Sequence, residues 1–230
     1  MKKVIVLISV FLITTSNAWA DPSLIIPIDQ HNFGMLPKNS ILNHTFWLKS
    51  VGDDTVKIDA IKTGCSCAIS KIERNWLAPG DSMAVKIEWD VSRYHSSIFR
   101  SIRVFYDSIK SPLRMNLKGS VVQKLDSARP ISISPYRFEF ASTAQKEIDS
   151  IQFTLTNRSS EDLNISNISG NPEQCKFVLP STIPANSSVT GHIRLKPEYN
   201  KKEFQTSITL AVNNKQQTNF TIPIRRKIYR

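Results

Sequence analysis

Apolar and polar residues alternate with a period of two along most of the chain after residue 22. The alternation places on single faces the sets Leu42, His44, Phe46 and Leu48; Val85, Ile87 and Trp89; and Ile102, Val104 and Tyr106. Turn-forming residues separate such runs, as in Gly52-Asp53-Asp54 and Pro79-Gly80-Asp81. Since successive side chains of a strand point to opposite faces, each run predicts a strand with one buried face. Six or seven short strands in about 100 residues predict a β-sandwich, so we expect an all-β fold.

The second half of the sequence repeats the first, which indicates two copies of one sandwich. The matched segments are FWLKS (46–50) with FTLTN (153–157), VKI (56–58) with LNI (163–165), and VKIEW (85–89) with GHIRL (191–195). The alternation lapses between Gln123 and Pro130. We therefore predict two tandem domains, at residues 21–126 and 127–230.

Residues 1–20 have the composition of a cleaved signal peptide. Lys2 and Lys3 precede the apolar run VIVLISVFLI, and Ala18-Trp19-Ala20 supplies small residues for cleavage. The apolar run is about half of the ~20 residues that a transmembrane helix requires. We expect a mature chain without a transmembrane segment, located in the periplasm or secreted from a bacterium.

The chain is strongly basic, with 30 Lys and Arg residues against 19 Asp and Glu residues and a formal net charge of +11. Cleavage at the predicted site would remove two lysines, leaving 28 against 19 and a charge of +9. An exported protein meets little nucleic acid, so we expect acidic proteins or anionic envelope components as partners. The candidate contact residues are at the C-terminal end: Arg225, Arg226, Lys227 and Arg230. A solvated basic end would have the same composition.

Two of the three cysteines, Cys65 and Cys67, are separated only by Ser66. In an extended strand their Cα atoms would lie about 7 Å apart, at the upper limit for a disulfide, so a bond requires a tight turn. Gly64 makes such a turn feasible, and a bond of this kind would suit redox chemistry. The two thiolates could instead hold a soft ion such as Cu(I), to which His31 or His44 could add a ligand. The third interpretation is purely structural.

Other chemistry-bearing patterns are absent from the sequence. It contains no G-x-S-x-G, no H-E-x-x-H and no phosphate-binding glycine loop, so we expect no enzymatic activity beyond thiol chemistry and no cofactor unless copper. Cys175 is expected to be a free or buried thiol. Gly64, Pro79 and Gly80 are candidate structural turn residues.

Seven short features of the first repeat occur in the order found in a known family. They are His31-Asn32-Phe33-Gly34, His44-Thr45-Phe46, Gly52-Asp53, Cys65-Ser66-Cys67, Ala78-Pro79-Gly80, Phe99 with Ile102 and Val104, and Leu117-Lys118-Gly119. In this order they resemble the bacterial domain of unknown function 1573 over roughly residues 29–122. The hallmark Cys-Gly-Cys-Thr of that family reads Cys-Ser-Cys-Ala here, which makes a tight ring harder to form. The resemblance implies immunoglobulin-like sandwiches, the second one diverged and without the cysteine pair.

The biochemical role of that family is not established, so the resemblance implies no function. The predicted architecture is also similar to that of pilus chaperones, which bind clients by adding a strand to an exposed sheet edge. We therefore predict an exported, non-enzymatic binding or chaperone-like scaffold that acts on other proteins or envelope components. The alternative is thiol redox chemistry or copper handling through Cys65 and Cys67.

Overall fold

The computed structural model describes residues 23–109, 111–123, 128–143, 146–170, 173–214 and 217–229. Within these ranges the chain consists of strands, turns and one short 3-10 helix, with no α-helix. The predicted all-β class is therefore confirmed. The predicted signal peptide, the predicted domain boundary at residues 126 and 127, and Arg230 lie outside the described residues. No described helix is long and apolar enough to cross a membrane.

Nine strands belong to the first half of the chain. They are β1 (Leu24–Ile25), β2 (Gln30–Pro37), β3 (Ile41–Ser50), β4 (Val56–Lys62), β5 (Ala68–Lys71), β6 (Trp76–Leu77), β7 (Ser82–Asp90), β8 (Ser97–Tyr106) and β9 (Leu113–Val122). One layer has the order β1-β3-β7-β5, and the facing layer has the order β6-β4-β8-β9-β2. The predicted faces of β3, β7 and β8 are buried between these layers, except that His44 is only half-buried.

Ten strands belong to the second half. They are β10 (Ile131–Ser134), β11 (Phe138–Ser142), β12 (Glu147–Ile148), β13 (Ser150–Asn157), β14 (Leu163–Ser169), β15 (Cys175–Val178), β16 (Thr182–Ile183), β17 (Ser188–Leu195), β18 (Phe204–Asn213) and β19 (Asn219–Ile228), with the 3-10 helix at Pro197–Tyr199. One layer has the order β10-β13-β17-β15, and the facing layer has the order β16-β14-β18-β19 with β11 beside β19. Apart from the additional strand β12, which pairs with β11, this arrangement repeats that of the first half around a separate hydrophobic core.

The two sandwiches share one sheet. Strand β19 lies parallel to β2, with Phe220 opposite Met35, and this pairing joins the larger layers into a continuous eleven-stranded sheet. Side chains on β19 strengthen the junction: Asn219 Nδ2 donates to the Asn32 carbonyl at 2.8 Å, and Thr221 Oγ1 donates to the Phe33 carbonyl at 2.7 Å. The domains are therefore fixed by backbone contacts as well as by side-chain packing.

Gly34 permits this approach of two backbones. Its φ is +65°, and a Cβ at this position would lie 1.9 Å from the carbonyl oxygen of Asn219. Any other residue would be strained in this left-handed conformation and would collide with the neighbouring main chain.

We expect Gly34→Ala to weaken the junction far more than Gly80→Ala. Gly80 also has a positive φ, +78°, but a Cβ there would meet no atom within 4 Å. The control therefore measures the backbone strain alone, about 1–2 kcal/mol. The added clash should raise the loss in free energy of unfolding for Gly34→Ala above about 4 kcal/mol, measured by urea denaturation. Equal losses for the two variants would contradict this role for Gly34.

Candidate functional site

Cys65 and Cys67 lie in the connection between β4 and β5 and form a disulfide. Gly64 has a φ of +77°, and the turn that follows it brings the two Cα atoms to 5.3 Å. This is shorter than the distance of about 7 Å across an extended strand. Hydrogen bonds to the two cysteine carbonyls hold both ends of the turn: the Thr63 hydroxyl, Oγ1, donates to the Cys65 carbonyl at 3.1 Å, and the Asp90 N–H donates to the Cys67 carbonyl at 2.8 Å.

The Cys67 sulfur lies against two polar side chains. The hydroxyl of Tyr94 and Nη2 of Arg100 are each 3.7 Å from Sγ, and Arg100 Nη2 donates to the Tyr94 hydroxyl at 2.7 Å. The buried Trp89 supports both partners, with its ring edge-on to Tyr94 at 5.8 Å and 5.9 Å from the guanidinium carbon. A cation and a phenol therefore contact the Cys67 sulfur.

Tyr94 and Arg100 are functional candidates that the sequence analysis did not identify. They are 27 and 33 residues from Cys67, so only the folded chain brings them together. A signal for Arg100 does exist in the sequence, because it occupies an interior-facing position of β8 between Ile98 and Ile102. An arginine on the apolar face of an alternating strand requires an explanation.

His31 and His44 form a second cluster beside the domain junction. Their rings stack with centroids 3.8 Å apart, and His44 Nδ1 lies 2.7 Å from Ser169 Oγ in the other sandwich. Burial lowers the pKa of His31 to about 4. Burial, together with the charge that His31 would carry, lowers the pKa of His44 to about 3. Both rings are therefore neutral at physiological pH.

The copper hypothesis gains no ligand set from the structure. Among the described residues, no group of three or more His, Cys, Asp and Glu side chains could hold a metal ion. His44 is hydrogen-bonded to Ser169 and stacked on His31, and the two sulfurs are bonded to each other. Copper binding stays a prediction from the two thiols alone.

The predicted basic end is not a single exposed cluster. The side chain of Arg226 is fully buried, where it pairs with Glu147 at 2.9 Å and donates to the Asn200 carbonyl at 2.7 Å. Arg225 pairs with Glu139 at 2.8 Å, and Lys227 is exposed. Because Arg226 is used inside the second domain, it is not available to an anionic partner.

The remaining predicted residues have local roles. Gly80 adopts its positive φ in the turn before β7, where the Asp81 N–H donates to the Ala78 carbonyl at 3.0 Å, and Pro79 is exposed in the same turn. Cys175 is free and buried, as expected, and desolvation raises the pKa of its thiol to about 12. A thiol in that environment is inert.

An open groove of about 580 Å³ lies between the two sandwiches, and we call it the inter-domain groove. Its floor is the outer face of β3 and β7, including Thr45, Trp47 and Lys86, and its wall is the end of β14 with Ile168. Trp47 is 54% exposed and Ile168 is 45% exposed. Two large apolar side chains from different domains thus face the same groove.

Residues 25–121 match the model of a family described as Protein of unknown function (DUF1573), and the cysteine pair lies within this span. The resemblance of the first repeat to that family is therefore confirmed. No curated protein matches the chain.

Several solved structures are similar to the chain at low identity. A protein of unknown function from Porphyromonas gingivalis is 9% identical, with a TM-score of 0.37 over 89% of this chain and 99% of that one. The CupB2 chaperone of Pseudomonas aeruginosa is 8% identical, with a TM-score of 0.32 over 86% and 98%. The VesB protease of Vibrio cholerae is 11% identical, with a TM-score of 0.35, and the match covers 44% of this chain but only 31% of the protease. At these values the likenesses carry no argument about function.

We expect the histidine pair to make stability depend on pH. Burial lowers the pKa of His31 to about 4 and keeps the ring neutral in the folded state down to that pH, whereas an unfolded histidine protonates near its ordinary pKa of 6.5. Between these values the unfolded state binds more protons, so the free energy of unfolding falls as the pH falls from 6.5 toward 4. Each unit of pKa difference corresponds to about 1.4 kcal/mol.

The test is urea denaturation of His31→Phe across that pH range. Phe keeps an aromatic ring between Phe33 and His44 but does not titrate, so the pH dependence should be flatter than in the unmodified protein. The control is His95→Phe at an exposed position, which should leave the slope unchanged. A slope that is unaltered in His31→Phe would contradict the assignment.

Proposed function

We propose that the protein is an exported, non-enzymatic scaffold that binds extended polypeptide segments of other proteins in the inter-domain groove. The observation that carries the proposal is the convergence of Trp47 and Ile168, each about half exposed, from two domains into one concave surface. Exposed apolar patches with polar rims mark interaction sites in soluble proteins. Tryptophan is also among the residues that contribute most to binding energy.

The rigidity of the groove supports this function. Its floor belongs to the first sandwich and its wall to the second, and the β2–β19 pairing fixes the two together. The backbone N–H of Asn43, on the floor, also donates to Ser207 Oγ in the other sandwich at 3.1 Å. A surface that is organised before binding loses less conformational entropy when a ligand arrives.

The composition of the floor indicates the class of ligand. Lys49, Lys71 and Lys86 are exposed and lie on the same outer face as Trp47, since β3, β7 and β5 pair in register. Of the three, Lys86 lines the groove, and Glu73 lines it as well. A sheet face that combines lysines with exposed apolar side chains is complementary to an extended segment of alternating acidic and apolar residues. The net charge of the chain supports an acidic partner as well.

Two features support export to the bacterial periplasm. The first 20 residues have the composition of a signal peptide. A disulfide such as the one between Cys65 and Cys67 persists in oxidising compartments and is rare in the cytosol.

We expect the double variant Trp47→Ser, Ile168→Ser to bind acidic-apolar peptides at least about tenfold more weakly than the unmodified protein. The probe is a labelled synthetic peptide of alternating Glu and Leu, measured by fluorescence polarisation. The matched control is Trp76→Ser, Val178→Ser, which removes two exposed apolar side chains outside the groove. Equal binding by the two double variants, or equal binding of a Lys and Leu peptide, would count against the proposal.

A second function, thiol–disulfide exchange with other thiols, is favoured by the contacts of Arg100 and Tyr94 with the Cys67 sulfur. A disulfide that closes so short a loop contributes little to stability. The chain-entropy relation gives about 1.6 kcal/mol for a closed loop of three residues, against about 3 kcal/mol for fifteen.

For this second function, the variant Cys65→Ser, Cys67→Ser should lose all exchange with glutathione while its stability falls by no more than about 1.6 kcal/mol. The number of free thiols is read from the intact mass after alkylation, and the samples are unfolded for this step so that the buried Cys175 reacts. We expect one free thiol before mild reduction and three after it. The control variant Cys175→Ser should exchange normally. A bond that resists reduction until the protein unfolds would assign the pair a structural role.

A further inference from the structure

We infer that the disulfide has a fixed polarity, in which an incoming thiolate attacks the Cys65 sulfur and Cys67 leaves as a thiolate held by Arg100 and Tyr94. The inference deepens the thiol-exchange function proposed above and rests on it. Arg100 and Tyr94 would be positioning residues for the leaving group.

The placement of Arg100 is the first argument. Its side chain points into the first sandwich from β8, and its Nε is buried without a hydrogen-bond partner. No carboxylate of a described residue pairs with the guanidinium. A partly buried cation without a counter-ion can stabilise an anion that forms beside it. Cys67, 3.7 Å away, becomes such an anion when the disulfide opens.

Tyr94 adds a second donor to the same sulfur. Its oxygen accepts the hydrogen bond from Arg100, which leaves its own O–H free to point toward Cys67 Sγ, 3.7 Å away. Hydrogen bonds to an ionised acceptor are stronger than those to a neutral one. Both contacts therefore strengthen as negative charge develops on Cys67.

The Cys65 sulfur has no comparable contact. Within the residues that the structure describes, the polar contact of Cys65 is made by its carbonyl, which accepts from the Thr63 hydroxyl, and no hydrogen bond reaches its sulfur. Its neighbours Gly64 and Ser66 are exposed. In thiol–disulfide exchange the sulfur with the better stabilised thiolate leaves faster, so attack is directed to Cys65.

The step balances with one external thiolate. The attacking sulfur forms a bond to Cys65 Sγ, the bond between Cys65 and Cys67 breaks, and its electron pair goes to Cys67 Sγ. A second external thiolate then attacks the mixed disulfide and releases Cys65 as a thiolate. Two external thiols are thereby oxidised to a disulfide, and the cysteine pair is reduced by two electrons. The external thiol is glutathione or a cysteine of another polypeptide.

The first experiment measures the rate of opening of the oxidised protein by glutathione and by a short cysteine-containing peptide. Removal of the cation in Arg100→Gln should slow the reaction about three- to tenfold, as expected for a poorer leaving thiolate. Arg103→Gln is the matched control, since it removes the same charge from an exposed position of the same strand. Arg100→Lys keeps a cation and should recover part of the rate. Faster reaction of the peptide than of glutathione would identify a polypeptide substrate.

The second experiment locates the mixed disulfide in the unmodified protein. A limiting amount of glutathione is added, free thiols are alkylated at once, and the tryptic peptide TGCSCAISK, residues 63–71, is sequenced by mass spectrometry. Ser66 separates the two sites, so fragment ions distinguish them. We expect glutathione on Cys65 and the alkyl group on Cys67. This result does not depend on whether Arg100→Gln folds.

The outcomes of the two experiments distinguish a wrong polarity from a wrong assignment of thiol exchange. Absence of any exchange in the folded protein would overturn thiol exchange itself. Exchange with glutathione on Cys67, or on both cysteines equally, would overturn the polarity and leave exchange standing. Equal rates for Arg100→Gln and Arg103→Gln would remove Arg100 from the mechanism.

Discussion

The parallel contact between β2 and β19 is the interaction on which the arrangement of the two sandwiches depends. It is short, with Phe220 opposite Met35, and two side-chain hydrogen bonds to β2 carbonyls extend it. Gly34 makes it possible, because the backbone of β19 occupies the space that a side chain would need. Through this contact the larger layers of two similar domains join into one sheet. Trp47 and Ile168 can then act as parts of a single surface, which neither domain provides alone.

The sequence is sufficient to predict the β-sandwich, because the alternation that identifies each strand can be seen without knowing which strands pair. Period-two alternation places Phe46 and Leu48 inside without knowledge of their partners, and the internal repeat extends the argument to the second half. The junction could not be predicted in this way. It joins residues more than 180 positions apart, such as Asn32 and Asn219, and no periodic pattern reports which strand meets β2. A glycine at position 34 is compatible with any tight turn.

The candidate site could be predicted only in part. The cysteine pair is visible as a motif, and the requirement for a tight turn at Gly64 follows from strand geometry. The basic composition of the C-terminal end does not indicate that Arg226 is buried, because composition alone does not say which face of a strand a residue occupies. Arg226 continues the inward-facing series of Ile222 and Ile224 on β19, so the strand carries it into the interior. Alternation also places Arg100 inward, although its contact with Cys67 requires the folded chain.

The two inward-facing arginines, Arg226 and Arg100, differ in their surroundings. The difference indicates which one stabilises the fold and which one can assist a reaction. Arg226 has a carboxylate partner and backbone carbonyl acceptors, so its charge is compensated in the folded state and its removal would leave unsatisfied groups. Arg100 has a neutral phenol and a disulfide sulfur, neither of which compensates a full charge. Its electrostatic partner is created only when the disulfide opens. A cation arranged for a charge that the resting state lacks stabilises the product of a reaction, which is the arrangement that a reactive disulfide needs.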